Sequence, residues 1–82
     1  MKMLDELKNQ HKVVGIKQLR KSLKDGLVIR AFLAENADPA LTEPLAQLCA
    51  DQGVELILVP TMSELGKACG ISVGAAAAGL LA

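Results

Sequence analysis

Apolar positions along this 82-residue chain follow two alternating periods, with glycines and prolines at the changeovers. Ile16, Leu19 and Leu23 recur at i, i+3 and i+7, one stripe of a helix predicted over about 16–25, and Gly26 sits where such a helix ends. Residues 27–34, Leu-Val-Ile-Arg-Ala-Phe-Leu-Ala, form a nearly unbroken apolar run, as expected of a central strand covered on both faces. Helical spacing returns at Leu41, Leu45, Leu48 and Cys49 and stops at Gln52 before Gly53. Residues 54–59 read as a second buried strand. Thr61-Met-Ser-Glu64 matches a capping box and opens a short helix through Cys69, closed by Gly70. Upstream, residues 2–10 suit a short amphipathic helix with Met3, Leu4 and Leu7 on one side, and Val13-Val14 a brief extended piece.

Two segments leave alternatives. Glu35-Asn36-Ala37-Asp38-Pro39 reads as a turn with Asp38 placed to cap the third helix, but Pro44 then falls inside it. Either Thr42 is the cap, with Pro44 in the first turn, or the first turn is loose. In residues 75–82 alanine favours helix, whereas Gly74, Gly79 and the short length do not. A strand there completes the order α-β-α-β-α-β-α-β, which predicts an α/β/α sandwich in one domain over residues 1–82.

Composition adds a constraint: 51% of residues are hydrophobic and 22% charged, yet Phe32 is the only aromatic, so aliphatic side chains build the core. The scarcity of aromatics excludes RNA binders of the RRM, cold-shock or OB type, which stack bases on Phe, Tyr or Trp. The net charge of zero hides an uneven distribution. Residues 1–30 hold eight Lys/Arg against three acids, and residues 31–82 hold only Lys67 against six. Lys17, Arg20, Lys21 and Lys24 fall at i, i+3, i+4 and i+7 on a second stripe of the 16–25 helix. A helix start behind Gly15 adds exposed N–H groups and a partial positive charge to those cations, so the natural partner is a polyphosphate, with RNA leading.

Catalytic patterns fail on context. Gly70-Ile-Ser-Val-Gly74 has the lettering of a nucleophile elbow, but a helix precedes it and the single histidine, His11, lies upstream. Gly74 and Gly79 share the glycine spacing of a P-loop without its lysine. Glu35, Asp38 and Glu64 sit in turns and helix starts, where capping explains them. Cys49 and Cys69 form no paired motif and His11 cannot complete a zinc site, so both cysteines are expected as reduced core residues in a cytoplasmic protein. No metal, cofactor or enzymatic activity is expected. Residues 1–12 lack a signal-peptide core, and residues 75–82 are too short to span a bilayer, so no membrane association is expected either.

The segment Leu65-Gly-Lys-Ala-Cys-Gly-Ile-Ser-Val-Gly-Ala-Ala-Ala77 is the second distinctive stretch. Its loop at 70–74 either folds Ile71 and Val73 into the core or presents them as an apolar shelf beside a ligand. Together with Gly15-Ile-Lys-Gln-Leu-x-Lys-Ser-Leu23 and the Asn36-Ala-Asp-Pro39 turn, it closely resembles the L7Ae family of ribosomal proteins, including the L30e group and small bacterial homologues that bind RNA kink-turns. The resemblance runs from about Val13 to Ala82. It implies a sandwich around a mixed four-stranded sheet and a monomeric, ribosome-associated or riboswitch-type RNA binder that recognises kink-turns. It also implies RNA contacts at Gly15, at Lys17-Gln18 in place of the usual Asn-Glu pair, at Lys21, at Asp38 near the pocket for an extruded nucleotide, and at Ile71, Ser72 and Val73. The alternative is a protein-interaction or RNA-docking domain without kink-turn specificity.

Overall fold

The computed structural model describes Leu7 and residues 11–82. Their elements are β1 (Lys12–Val14), α1 (Ile16–Lys24), β2 (Val28–Ala34), α2 (Pro39–Gln52), β3 (Glu55–Val59), α3 (Met62–Ala68) and β4 (Ala77–Leu81). The helix expected over residues 2–10 lies outside the described residues except for Leu7, which is fully buried.

The four strands form one sheet in the order β1-β4-β2-β3. β4 runs antiparallel to both β1 and β2, while β2 and β3 are parallel, so the sheet is mixed. Side chains alternate between its faces as the pleat requires. Ala31, Leu33 and Ala77 join Leu19 and Leu23 of α1 and Leu45 and Cys49 of α2 in one cluster. Phe32, Ala34, Ala78 and Leu80 join Leu7 and Leu65 and Ala68 of α3 in another. Two cores on opposite faces of one sheet make the α/β/α sandwich.

Local chemistry sets the boundaries. Asp38 caps α2, its Oδ1 accepting from Ala40 N at 3.0 Å, with Pro39 in the first turn. The helix runs on through Pro44, so neither alternative drawn from that proline holds. Thr61 caps α3 by accepting from Glu64 N at 3.1 Å, as the capping box requires. Each helix ends on a left-handed glycine, Gly26, Gly53 or Gly70, followed by the paired backbone bonds of a Schellman turn.

Several burial expectations are corrected. β2 begins at Val28 and carries a register shift between Val28 and Arg30 that leaves Ile29 54% exposed, so the start of the strand is not covered on both faces. β3 begins at Glu55 and is an edge strand, partnered only by β2 among the described residues, with Leu58 56% exposed. A continuous apolar run marks a strand without telling its edge from its centre. Leu41 lies in the first turn of α2 and is 49% exposed, not buried. At the far end of the β2–β3 pair, Arg30 Nε donates to Glu55 Oε1 at 2.7 Å. This pair ties up the last cation of the basic N-terminal stretch.

β4 presents the small residues Ala77 and Gly79 to the face on which α1 rests. A Cβ placed on Gly79 would lie 2.6 Å from Leu19 Cδ1, and Leu19 is fully buried. Gly79→Val is therefore expected to lower stability by about 1–3 kcal/mol through overpacking, read as a lower urea midpoint at unchanged slope. An unchanged midpoint would show that α1 has room to retreat.

Candidate nucleic-acid interface

Because β4 is reversed, the C-terminal ends of β1, β2 and β3 meet the N-terminal end of β4 at one end of the sheet. Four segments gather there: Gly15 with the start of α1, the 35–38 turn, the 60–61 link and the 70–76 loop. Hydrogen bonds join them into a belt. Gly15 N donates to Ala77 O at 2.8 Å, Ala34 N to Ala76 O at 2.9 Å and Glu35 N to Val59 O at 2.7 Å. Ala75 N donates to Met62 O at 3.0 Å, and Met62 N donates to Asn36 Oδ1 at 2.8 Å.

Gly15 caps α1 at φ 113° and ψ 158°, a backbone conformation that side-chain-bearing residues rarely adopt. With glycine as cap, no side chain closes the helix start, and the first turn holds no acid. Its N–H groups and the helix dipole therefore face outward beside Lys17. Gln18 folds back over the glycine, since a Cβ there would lie 2.5 Å from Gln18 Oε1. Lys17, Arg20, Lys21 and Lys24 are all exposed and, with Asp25, line one shallow groove along the outer face of α1. Leu19 and Leu23 on the opposite face are fully buried. The two stripes separate as the spacing predicts.

The 70–74 loop keeps its apolar side chains out of the core, with Ile71 37% and Val73 68% exposed and Ser72 exposed between them. Its backbone is nevertheless clamped. Gly66, in mid-helix, has no Cβ because the Val73 carbonyl oxygen occupies that space, and a Cβ on Gly74 would lie 3.1 Å from that of Met62. Ile71 N donates to Gly66 O at 3.1 Å.

Of the residues singled out from sequence, Gly15, Lys17, Gln18, Asp38, Ile71, Ser72 and Val73 stand on segments that meet at this end, and Lys21 lies one turn along α1. Asp38 is exposed, though its Oδ1 is engaged in capping. Sequence reasoning missed the roles of Asn36 and Gly66. Asn36 pins the start of α3, and its only signal was membership of a turn. Gly66 admits the loop, and its signal was a glycine inside a helical pattern. The two cysteines take no part. Burial pushes both thiols above their ordinary pKa, with the Lys12 ammonium opposing this at Cys69, so they stay protonated and unreactive at neutral pH. Among the described residues, no three His, Cys, Asp or Glu side chains gather to hold a metal ion. The arrangement offers backbone donors, cations on an ordered helix and an exposed apolar loop joined by the Gly15–Ala77 bond.

Comparison with known proteins agrees with this fold. The model of the Ribosomal protein L7Ae/L30e/S12e/Gadd45 family matches residues 1–81. An RNA-binding protein of Bacillus pumilus is 45% identical over 69 residues, 84% of each chain. The large ribosomal subunit protein eL8 of Halobacterium salinarum is 36% identical over 69 residues, 83% of this chain and 58% of that one. Among solved structures, a 15.5 kD RNA binding protein of Giardia lamblia superposes with a TM-score of 0.90 at 26% identity, covering 98% of this chain and 71% of that one.

Gly66→Ala would push the added methyl into the Val73 carbonyl. It is expected to cost about 1–3 kcal/mol and to displace amide NMR resonances chiefly within residues 71–75. Unchanged spectra there would mean that the loop is not held by this contact.

Proposed function

Since the chain belongs to the L7Ae/L30e/S12e/Gadd45 family of ribosomal proteins, we propose that it binds RNA and recognises kink-turn bends with the end of the sheet where α1 begins. The observation that carries this reading is the Gly15–Ala77 hydrogen bond, which sets an uncapped, lysine-flanked helix start beside a loop that exposes Ile71 and Val73. Relatives at 45% and 36% identity, one an RNA-binding protein and one a ribosomal protein, support the choice of RNA.

The chemistry suits a broken duplex. A-form RNA hides its base edges in a deep, narrow groove, so a helix start reads them only where the stack is interrupted. Lys17 donates to guanine O6 and N7, and the Gln18 amide both donates and accepts at a base edge. Gly15 leaves room for the Gln18 amide at the helix start, while Lys21 offsets phosphate crowding at the bend. Ile71 and Val73 cover an unstacked base, with Ser72 between them as a hydroxyl donor. Asp38 holds the turn beside the space for an extruded nucleotide. In this reading the protein acts as a monomer in the cytoplasm, on ribosomal or riboswitch-type RNA, without cofactor or catalysis. No helix among the described residues is long and apolar enough to cross a membrane.

Titration against a kink-turn RNA and a plain duplex of equal length tests the reading, and equal weak binding to both would reduce it to charge attraction. Lys21→Ala is expected to weaken kink-turn binding by about 1–3 kcal/mol, and unchanged affinity in a gel-shift titration would remove that lysine from the interface. Ile71→Asp combined with Val73→Asp is expected to lower RNA affinity while the thermal melt stays nearly intact, because both side chains already face solvent. A large fall in melting temperature would instead assign them to the core.

A further inference from the structure

The opposite flank of the same end carries a second groove with the reverse chemistry. It runs between the start of α2 and the outer strand β3, with Leu33, Ala37, Ala46 and Leu58 as an apolar lining. Its two charged residues are Glu35 and Glu43, and no cation lines it. Both carboxylates are exposed, and neither has an ion pair or a side-chain hydrogen bond among the described residues. Glu35 follows the last residue of β2 and is held in the belt by its backbone bond to Val59 O, so its position at the loop end is fixed. Across the sheet order β1-β4-β2-β3, the loop end therefore passes from the four-cation groove of α1, past the 70–76 loop, to this anionic flank on the β3 edge.

Resting on the RNA-binding reading above, we infer that Glu35 and Glu43 are specificity-determining residues that reject straight duplex RNA. A straight helix laid against the start of α1 continues across the end of the sheet and brings its phosphates over the β3 flank, where two unpaired carboxylates repel them. A sharply bent RNA turns away before reaching that flank and feels mainly the cations of α1. Shape discrimination then comes from charge placement as well as base contact, through repulsion of the wrong partner. The interaction is between exposed groups, so it acts over about a Debye length, roughly 10 Å at 0.1 M salt, and fades as salt rises.

The test is a double substitution, Glu35→Gln with Glu43→Gln, titrated beside the wild type against a kink-turn RNA and an equal-length plain duplex. Both positions are exposed, and a thermal melt checks that the fold is kept. Duplex affinity of the variant is expected to rise about three- to tenfold at low salt, as removal of two screened surface charges allows, with kink-turn affinity changed less than about twofold. The gain is expected to vanish near about 0.5 M salt, where the Debye length falls to roughly 4 Å. Equal gains for both RNAs, or none for the duplex, overturn the inference while the wild type still prefers the kink-turn. A wild type without that preference overturns the functional reading and this inference with it.

Discussion

The hydrogen bond from Gly15 N to Ala77 O, at 2.8 Å, joins the start of α1 to the first residue of β4, and the rest of the loop end is arranged around it. It exists because β4 enters the sheet between β1 and β2 in the opposite direction to both. Had β4 run parallel to its neighbours, the 70–76 loop would have left the sheet at the far end, away from α1. The reversal also demands slim residues. α1 crosses close above β4, with Leu19 pressed against the position where Gly79 lacks a Cβ, and Ala77 on the same face is fully buried.

That close approach gives the basic stripe its value. A nine-residue helix is too short to persist alone in water, and Gly15 supplies no side-chain cap to help it. What holds α1 is burial of Leu19 and Leu23, each contributing about 1.5–3 kcal/mol on removal from water, together with the Schellman turn at Gly26. The backbone under Lys17, Arg20, Lys21 and Lys24 is thus ordered before any ligand arrives. In the proposed reading, binding need only restrict the side chains themselves, which lowers the entropic cost of docking on a polyanion.

Much of this was legible in the residue pattern. The two stripes of α1, the caps at Asp38 and Thr61 and the glycine stops lie within one or two turns of sequence, where periodicity and capping chemistry act directly. What escaped depends on long-range packing. The 27–34 and 54–59 runs look equally buried, yet β3 is an edge and Ile29 turns outward at a register shift, because neighbours in space decide which faces are covered. Pro44 suggested a broken first turn, but the Asp38 cap and Pro39 start the helix soundly without it. At the loop end, the lysines could be placed from spacing alone. Asn36 and Gly66 could not, since each acts on a segment distant in sequence: Met62 for the asparagine, Val73 for the glycine.

A protein with nine cations and nine anions is an unusual ligand for a polyphosphate, and its charge layout limits how it can bind one. The α1 groove gathers four cations, and Arg30 is paired with Glu55 at the other end of the sheet. If all four met phosphates, as proposed, few counterions would be released and the log–log salt slope would be only about −3 to −4, far from that of strongly basic nucleic-acid binders. Charge attraction at that level supports encounter but little selectivity. In the proposed reading, the remainder comes from the placement of acids on the β3 flank and from contacts that a distorted RNA makes: base edges at the start of α1, and an unstacked base on Ile71 and Val73. On that reading, an electrically neutral chain with one concentrated basic groove ignores most RNA, because selectivity rests on the shape and charge placement of the loop end rather than on the sum of its charges.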